Sequence, residues 1–236
     1  MRNSSPLISV VMSTYNSERT VSKSIESILN QSYKNIEFLI IDDCSTDNSY
    51  EILKEYESKS NYIKVFFNDE NIGLTRSLNF LLKETKGDLI ARQDSDDLSR
   101  QFRFEKQINF MINKGLDACT TKAKIIQNNK IIPNYSYYIP SKMIINFKNP
   151  FIHGSLIIKK KVIESLNYYD ERFYFAQDYK LMKDLIYNNH KIKIINETLY
   201  DLNMVDNISS KFQKEQSYYA RCVKNNIVPD RKNFSK

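Results

Sequence analysis

Polar side chains cluster at four points in the first hundred residues, each directly after an apolar run. These clusters are residues 13–16 (Ser-Thr-Tyr-Asn), 42–47 (Asp-Asp-Cys-Ser-Thr-Asp), 68–73 (Asn-Asp-Glu-Asn-Ile-Gly) and 93–97 (Gln-Asp-Ser-Asp-Asp). Such residues also form turns and cap helices, which is the simpler explanation for Thr46. The fourth cluster is different, because three carboxylates within four residues repel one another unless a cation lies among them.

The fourth cluster predicts a metal site built from carboxylates. In an extended strand end, residues two apart point the same way, so we expect Asp94 and Asp96 to face one ligand. Magnesium and manganese ions take oxygen ligands and keep several waters, so one or two protein carboxylates suffice. A D-x-D pair alone is a weak signal. Four polar strand ends strengthen it, since open α/β sheets bind ligands where their strands end.

Composition excludes several other kinds of site. The 236 residues contain four widely spaced glycines, which rules out the usual dinucleotide and P-loop fingerprints. The three cysteines form no C-x-x-C pair, and the two histidines, His153 and His190, lie far apart. This favours a reducing compartment and argues against a disulfide framework or a zinc site. The first apolar run is too short for a signal peptide, and no run approaches a membrane span.

The basic excess lies mainly at the end of the chain. The net charge is +7, and residues 211–236 contribute +5 of it, with seven Lys or Arg against two acidic residues. A solvated helix face is the ordinary explanation for such a stretch. Attraction to anionic lipid is the alternative, because clustered basic residues gain about 1 kcal/mol each near a membrane surface.

The spacing of apolar residues predicts an α/β fold. Strands are expected at 7–12, 36–41, 62–67 and 88–92, and helices between them at 18–30, 46–59 and 74–85. This alternation is typical of right-handed crossovers in a largely parallel sheet that is covered on both faces.

The rhythm changes after residue 100. Helices are expected at 101–113, 179–188 and 208–224, and strands at 116–121, 124–132, 155–158 and 192–195. Asn128-Asn129 falls where a hairpin turn is expected. Residues 133–150 are irregular and rich in tyrosine, which predicts a loop with one short helix. No linker divides the chain, so residues 1–236 are expected to form one domain.

Taken in order, the polar strand ends resemble the motifs of the family-2 glycosyltransferases with the GT-A fold, a Rossmann-like mixed α/β sheet flanked by helices. The segments that carry the resemblance are 7–16, 40–47, 71–74 and 91–97, and it extends over roughly residues 6–205. It implies a nucleotide-binding half at 1–100, an acceptor-binding and catalytic half at 101–205, and a basic helix and tail at 206–236. Bacterial capsule and lipooligosaccharide glycosyltransferases are similar.

The resemblance also implies a donor pocket. Thr14, Tyr15 and Asn16 would line the pocket of a nucleotide-sugar, with a UDP-sugar favoured, and Asp43 would accept a hydrogen bond from the base. A loop that approaches the nucleotide would contain Asn71 and Gly73.

The implied cofactor is Mn²⁺ or Mg²⁺. Asp96 matches its principal ligand, and Asp94 would lie beside it on the metal or on the donor ribose. A divalent cation there would neutralise the charge that develops on a diphosphate leaving group. His153 would complete the metal shell or touch the diphosphate, with a structural histidine under a loop equally open. Arg92 and Arg100 would meet phosphate or pair with nearby carboxylates.

Inversion in one displacement needs a general base. The family often places Glu-Asp at the start of a downstream helix, and here Gln177 replaces the Glu, so Asp178 is expected to be the base. A helix cap is its alternative role.

We therefore expect a metal-assisted inverting glycosyltransferase of bacterial surface-polysaccharide synthesis. Its acceptor would be a glycan or lipid-linked glycan. The expected location is cytoplasmic, with peripheral contact at the inner face of the membrane through the basic tail left open. Two rivals remain: a sugar nucleotidyltransferase of the same fold, and a non-catalytic basic module that binds membrane or nucleic acid. Nucleic acid is not an expected partner, because the acidic strand ends would repel phosphate.

Overall fold

The structure is a computed structural model and describes residues 5–205 and 211–230. Its strands are β1 (Ile8–Thr14), β2 (Ile36–Asp42), β3 (Ile63–Phe67), β4 (Leu89–Arg92), β5 (Leu98–Ser99), β6 (Ala118–Ile125), β7 (Ile131–Ile132), β8 (Ile157–Lys159) and β9 (Ile192–Leu202). Its α-helices are α1 (Val21–Leu29), α2 (Ser49–Lys59), α3 (Leu74–Glu84), α4 (Arg103–Lys114), α5 (Ser141–Ile144), α6 (Lys160–Ser165), α7 (Gln177–Tyr187) and α8 (Gln213–Asn225). Two short 3₁₀ turns are Tyr135–Tyr138 and His153–Ser155.

In the described part of the chain, the strands form one mixed sheet. The order is β3-β2-β1-β4-β8-β6-β9-β5, and β7 pairs with β6. β1, β2, β3 and β4 are mutually parallel, β8 runs antiparallel to both β4 and β6, and β9 is parallel to β6. The parallel first half agrees with the prediction from strand–helix alternation.

Both faces of the sheet are covered by helices. In β1, Val10 and Met12 belong to one apolar cluster and Val11 belongs to the other, because successive side chains of a strand point to opposite faces. Helices α1 and α4 complete the first cluster, and α3, α7 and α8 complete the second. All seven residues of β1 are therefore buried, which fits the apolar residues that both of its faces carry.

Several predicted elements differ from the structure. The strand expected at 192–195 continues to Leu202, because a register shift next to Thr121 and Lys122 lets the polar stretch that follows keep pairing with β6. The two strands expected at 116–121 and 124–132 are one strand, β6, followed by a turn and the short β7. The hairpin turn itself is where the sequence predicts it, with Asn129 at φ 59°. Strand β5 and helix α6 were not predicted.

Helix α8 packs on α7 through a buried lysine. Lys183 donates from Nζ to the carbonyl oxygens of Val223 (2.7 Å) and Lys224 (2.9 Å), at the end of α8 where carbonyls lack helical partners. The predicted helix at 208–224 is found from Gln213 onward, and its first residues lie outside the described part of the chain. The basic tail proposed for membrane contact also lies partly outside it, at 206–210 and 231–236. Among the described residues, no helix is long and apolar enough to span a membrane.

Candidate active site

Three of the four polar clusters meet at one edge of the sheet. β1, β2 and β4 run parallel, so their carboxyl ends lie side by side. The Asp43 N–H donates to the Thr14 carbonyl (2.9 Å), joining the ends of β2 and β1. The hydroxyls of Ser17 and Ser95 lie 3.0 Å apart and join the loop after β1 to the turn after β4. This is the edge at which the sequence predicts a ligand site.

The carboxylate of Asp43 holds the remaining cluster, residues 68–73, against this edge. It accepts hydrogen bonds from Asn68 Nδ2 (2.7 Å) and from the backbone N–H groups of Ile72 (3.0 Å) and Gly73 (2.9 Å). Asn71 donates from Nδ2 to the Asp43 carbonyl (3.2 Å). The two Asp43 oxygens have about four acceptor positions, so three bonds leave room for one more.

Thr14, Tyr15 and Asn16 have distinct environments in the loop after β1. The Thr14 hydroxyl is buried and, among the described residues, has no hydrogen-bond partner. Tyr15 is 49 % exposed, so its ring is accessible at the crevice. The Asn16 side chain is committed to the neighbouring loop, because its Oδ1 accepts the Thr46 N–H (2.8 Å). Asn16 itself has φ 49°, a left-handed conformation that Asn tolerates better than most residues.

The segment that contains the three carboxylates is a turn, which corrects the prediction of an extended strand end. The Asp97 N–H donates to the Asp94 carbonyl (3.3 Å). Asp97 therefore points inward, and its Oδ1 accepts the Asn203 N–H (2.7 Å). Burial, and then the charges of Asp94 and Asp96, raise the pKa of Asp97 well above its usual range. Asp97 is a structural residue of the turn.

Arg92 lies behind the turn, which corrects its predicted contact with the donor. It is 1 % exposed and donates from Nη2 to Asp94 Oδ1 (2.6 Å) and from Nη1 to the Gln93 carbonyl. Its second predicted role, pairing with a carboxylate, is therefore the one found. Arg100 also pairs with a carboxylate, that of Asp201 (2.8 Å).

Asp94 and Asp96 are suited to a divalent cation. Burial, and then the charge of Asp94, raise the pKa of Asp96 to about 6, and the opposing charge of Arg92 does not offset them. The ion pair of Arg92 is with Asp94. Two carboxylates at one turn, with waters and a diphosphate, match the oxygen-rich shell that Mg²⁺ and Mn²⁺ prefer.

His153, Asp94 and Asp96 do not form a preformed metal site among the described residues, so a metal-ligand role for His153 stays a prediction. Across the described ranges, no three His, Cys, Asp or Glu side chains are placed to hold a metal together. The Nε2 of His153 lies 2.7 Å from the Tyr169 hydroxyl. Burial, and then the charge of Arg92, lower the pKa of His153 to about 4, so the ring is neutral.

Asp178 lies in the first turn of α7, as predicted. Its Oδ2 accepts a hydrogen bond from Asn149 Nδ2 (2.9 Å). The charges of Asp178 and Asp94 both act on the rings of His153 and Tyr169, which places these two rings within electrostatic reach of both carboxylates. Asp94 of the acidic turn and Asp178 of α7 therefore lie near the same pair of neutral rings.

Two residues that the sequence analysis missed pack directly on the acidic turn. Tyr200, on the unexpected extension of β9, accepts the Asp94 N–H at its hydroxyl (3.2 Å). A Cβ on Gly154 would overlap the Tyr200 hydroxyl and lie 2.6 Å from Asp94 Oδ2. Glycine at 154 is thus required for close approach. Its place directly after His153 was the available signal.

A second buried arginine, Arg103, forms hydrogen bonds with residues on both sides of the acidic turn. Arg103 donates to Gln107 Oε1 (2.9 Å), Gln93 Oε1 (3.1 Å) and Ser99 Oγ (2.6 Å), all neutral acceptors. Burial lowers its pKa to about 10, so it remains charged near neutral pH. Tyr174 was also missed, and its ring would lie 2.6 Å from a Cβ on Gly73.

A polar cavity of about 520 Å³ lies behind the histidine–tyrosine pair. Its lining includes Tyr169, Asn79, Lys83, Arg172 and Asp184, and none of the predicted site residues. We place the site at the strand ends rather than in this cavity, because the titratable groups with strongly shifted pKa values surround the acidic turn.

Sequence comparison identifies the family. The family model described as glycosyl transferase family 2 matches residues 9–182. EpsE of Bacillus subtilis, named as a glycosyltransferase, is 39 % identical over 174 residues, which cover 71 % of this chain and 61 % of EpsE. The Escherichia coli protein named UDP-Glc:alpha-D-GlcNAc-diphosphoundecaprenol beta-1,3-glucosyltransferase WfgD is 32 % identical over 187 residues, covering 78 % of this chain and 71 % of WfgD.

Solved structures of low identity share the fold. The mannosyltransferase PcManGT from Pyrobaculum calidifontis, in complex with GDP-Man and Mn²⁺, has a TM-score of 0.77 at 15 % identity and covers 96 % of this chain and 67 % of its own. TarS 1–349 of S. aureus, in complex with UDP-GlcNAc, has a TM-score of 0.76 at 21 % identity and covers 92 % of this chain and 65 % of its own. The GT-A fold expected from the resemblance is confirmed.

Proposed function

The chain belongs to glycosyl transferase family 2, and on that premise we propose that it transfers a sugar from a UDP-sugar to a hydroxyl group of a glycan or lipid-linked glycan. The reaction inverts the anomeric carbon and serves bacterial surface-polysaccharide synthesis. Support for the acceptor class comes from the name of WfgD, which specifies a diphosphoundecaprenol-linked substrate.

One observation carries the proposal: the charges of Asp94 and of Asp178 both act on the neighbouring rings of His153 and Tyr169. Asp94 and Asp96 follow β4, and Asp178 lies at the start of α7. A single displacement needs both kinds of group, because the leaving diphosphate requires positive charge, which a cation held by Asp94 and Asp96 would supply, while the attacking hydroxyl requires a base.

The donor lies along the strand ends in this proposal. Tyr15 offers a ring to the base, Thr14 offers an unpaired hydroxyl, and the loop of Asn71 and Gly73 borders the nucleotide. Asp43 holds that loop and has one acceptor position left for the base. Asp96 and Asp94 would hold Mn²⁺ or Mg²⁺, which when bound neutralises charge on the diphosphate. Arg92 positions Asp94.

The chemical step then uses Asp178 as general base. The acceptor oxygen forms a bond to the anomeric carbon while the bond from that carbon to the diphosphate breaks. Asp178 takes the proton of the attacking hydroxyl, and the bonding electrons leave with the nucleoside diphosphate. Asn149 occupies Oδ2, so Oδ1 is the oxygen assigned to the proton. His153 is neutral and lines the site without carrying a charge.

A panel of UDP- and GDP-sugars, each with and without Mn²⁺ or Mg²⁺, tests the proposal. We expect one UDP-sugar to bind in a metal-dependent manner and to be hydrolysed slowly without acceptor. Chelation should abolish binding, and restoring the cation should recover it. If no nucleotide-sugar binds with either cation, the proposed donor chemistry is wrong.

A further inference from the structure

One long stretch of the chain carries no negative charge. Between Asp117 and Glu164 the sequence contains eight lysines and neither aspartate nor glutamate. Over the whole chain, 28 acidic residues accompany 35 basic ones, so this segregation is local. A surface built from such a stretch attracts anions over its full extent.

The same stretch exposes large apolar side chains. Tyr135 is 81 % exposed, Tyr138 74 %, Phe147 71 % and Met143 60 %. Ile126, Ile131 and Ile139 are exposed as well. Exposed apolar residues are normal when scattered, but a cluster marks an interaction site. We call residues 122–148, with their five lysines and these side chains, the lysine–aromatic surface.

Contacts with the rest of the protein fix the backbone of this surface. Lys122 Nζ lies 4.5 Å from the ring centroid of Tyr137, whose ring packs edge-on against Tyr138. In and after α5, Ile144 and Ile145 are buried, and Tyr179 of α7 donates from its hydroxyl to the Ile145 carbonyl (2.6 Å). The inner side is therefore anchored on the core while Met143 and Phe147, one helical turn apart, remain outside.

We propose that the lysine–aromatic surface docks on the headgroup region of a bilayer that contains anionic lipid. Tyrosine and phenylalanine insert at the boundary between headgroups and acyl chains, and lysines pair with anionic headgroups. A second copy of the chain is a poor occupant, because two-fold pairing of this surface would place lysines against lysines.

The position of the surface indicates a role for membrane docking in the reaction, and this role rests on the function proposed above. Asn149 directly follows the surface and donates to Asp178, so docking brings the proposed base next to the bilayer. A lipid-linked acceptor would then present its sugar to the site without leaving the membrane. This contact differs from the basic tail suggested by the sequence, because it involves neither α8 nor the residues after it.

Vesicle flotation tests the proposal. The probes are vesicles of phosphatidylcholine alone and vesicles that also contain phosphatidylglycerol. We expect the full chain to prefer the anionic vesicles at least tenfold. The charge variant Lys142→Glu/Lys148→Glu and the apolar variant Tyr135→Ser/Tyr138→Ser/Phe147→Ser should each weaken that binding about tenfold or more. The three apolar positions are highly exposed, so the fold should tolerate the changes.

Matched controls sit elsewhere on the surface. Ile112→Ser, at a residue 69 % exposed on α4, controls for loss of an exposed apolar side chain, and Lys211→Glu/Lys214→Glu controls for charge near α8. Neither should reduce vesicle binding more than twofold. If the Lys211/Lys214 variant abolishes binding while the two surface variants keep it, the tail is the contact and the proposal is overturned. It is also overturned if the wild type shows no preference for anionic vesicles.

Further measurements distinguish this proposal from the proposed function and from a protein–protein interface at the same surface. Circular dichroism and UDP binding of the surface variants should match the wild type, which establishes that they are folded. If the wild type fails to bind any nucleotide-sugar yet binds anionic vesicles through this surface, the proposed function fails and the docking surface stands. If the surface variants instead dissociate a dimer and leave vesicle binding unchanged, the surface is a protein interface and the membrane proposal is wrong.

Discussion

Asn149 donates its side-chain amide to Oδ2 of Asp178 over 2.9 Å, and its own Oδ1 accepts the Phe151 N–H (3.0 Å). The first bond orients one carboxylate oxygen of Asp178, and the second orients the Asn149 amide that donates it. The segment before His153 is thereby tied to the first turn of α7. A carboxylate held in this way presents its other oxygen in a set direction, as a general base requires.

Replacing Asp178 by Asn should separate binding from chemistry. We expect turnover to fall about 10²–10⁴-fold, because the variant cannot accept the proton. The dissociation constant of the donor should change less than twofold. Initial rates and calorimetric titration with the UDP-sugar measure the two quantities. Asp184→Asn is the control, since Asp184 lies on the same helix but pairs with Lys180; equal losses in both variants would remove Asp178 from its assigned role.

Asn149→Leu should impair the base without touching the donor. Since the lost amide no longer orients Asp178, kcat should fall about tenfold while donor affinity stays within twofold. Steady-state kinetics against both substrates give this split. Asn146→Leu is the matched control, because Asn146 lies three residues earlier and its side chain accepts a hydrogen bond from Tyr187 instead. A rise in the donor KM with kcat unchanged would contradict a positioning role for Asn149.

Asp96→Asn and Asp94→Asn should differ in stability. Asp96→Asn removes a like charge next to Asp94 and a carboxylate whose pKa is raised to about 6, so the free energy of unfolding near neutral pH should rise by about 1 kcal/mol or more while metal-dependent UDP binding is lost. Asp94→Asn leaves the buried Arg92 without its ion pair and should cost about 2 kcal/mol. Urea unfolding and UDP titration with Mn²⁺ provide both readouts. Metal-dependent binding that survives in Asp96→Asn would exclude it as a ligand.

Gly154→Ala should destabilise the site because the added methyl overlaps the Tyr200 hydroxyl and crowds Asp94. We expect a loss of about 1–3 kcal/mol. In the double variant with Tyr200→Phe, the hydroxyl is gone and part of this loss should be recovered. A double-mutant cycle by chemical denaturation measures the coupling. Strict additivity would mean that the methyl is accommodated without contact to Tyr200.

Asp117 gives a pH dependence that is independent of catalysis. Burial alone would raise its pKa, but the Lys191 N–H (3.0 Å) and Lys159 Nζ (3.0 Å) outweigh it and hold the pKa below 3.8. A depressed pKa in the folded state stabilises the fold above the unfolded pKa and loses that effect as pH falls through the folded pKa. Asp117→Asn should therefore cost about 1 kcal/mol near neutral pH.

The Asp117 effect should shrink in acid. Urea unfolding of wild type and Asp117→Asn across a pH series measures the difference between their free energies of unfolding. This difference should become smaller once the pH drops below 3.8. A difference in the free energy of unfolding that stays constant over the whole pH series would show that the shape of the side chain at position 117, and not its charge, causes the destabilisation.

The sequence predicted the parallel half of the sheet well because each strand there is mostly apolar and is followed by a polar segment. The same pattern located Thr14, Asp43, Asp94 and Asp96, which lie where those strands stop. Asp178 was placed correctly at the start of α7, although only the family resemblance gave it a role.

The remainder depended on contacts between distant parts of the chain. Nothing local to residues 196–202 predicts a strand, because the polar stretch Asn196-Glu197-Thr198 interrupts the apolar run and pairing continues only through a register shift on β6. Tyr200 was missed for that reason. The inward position of Asp97 likewise depends on Asn203, more than 100 residues away. Arg92 looked accessible from its neighbours in sequence, yet the fold buries it.

The order of strands in the sheet limits where this chain can be joined to a relative to make a chimaera. β8, from the second half of the chain, pairs with β4 of the first, and β5, from the first half, forms the far edge beyond β9. The acidic turn lies between β4, in the middle of the sheet, and β5, at its edge. A chimaera that joins residues 1–100 of this chain to the remainder of a relative would therefore replace both β8, which pairs with β4, and β9, which pairs with β5. A single crossover at residue 100 would therefore have to preserve the contacts of β8 and β9 if the acidic turn is to keep its shape.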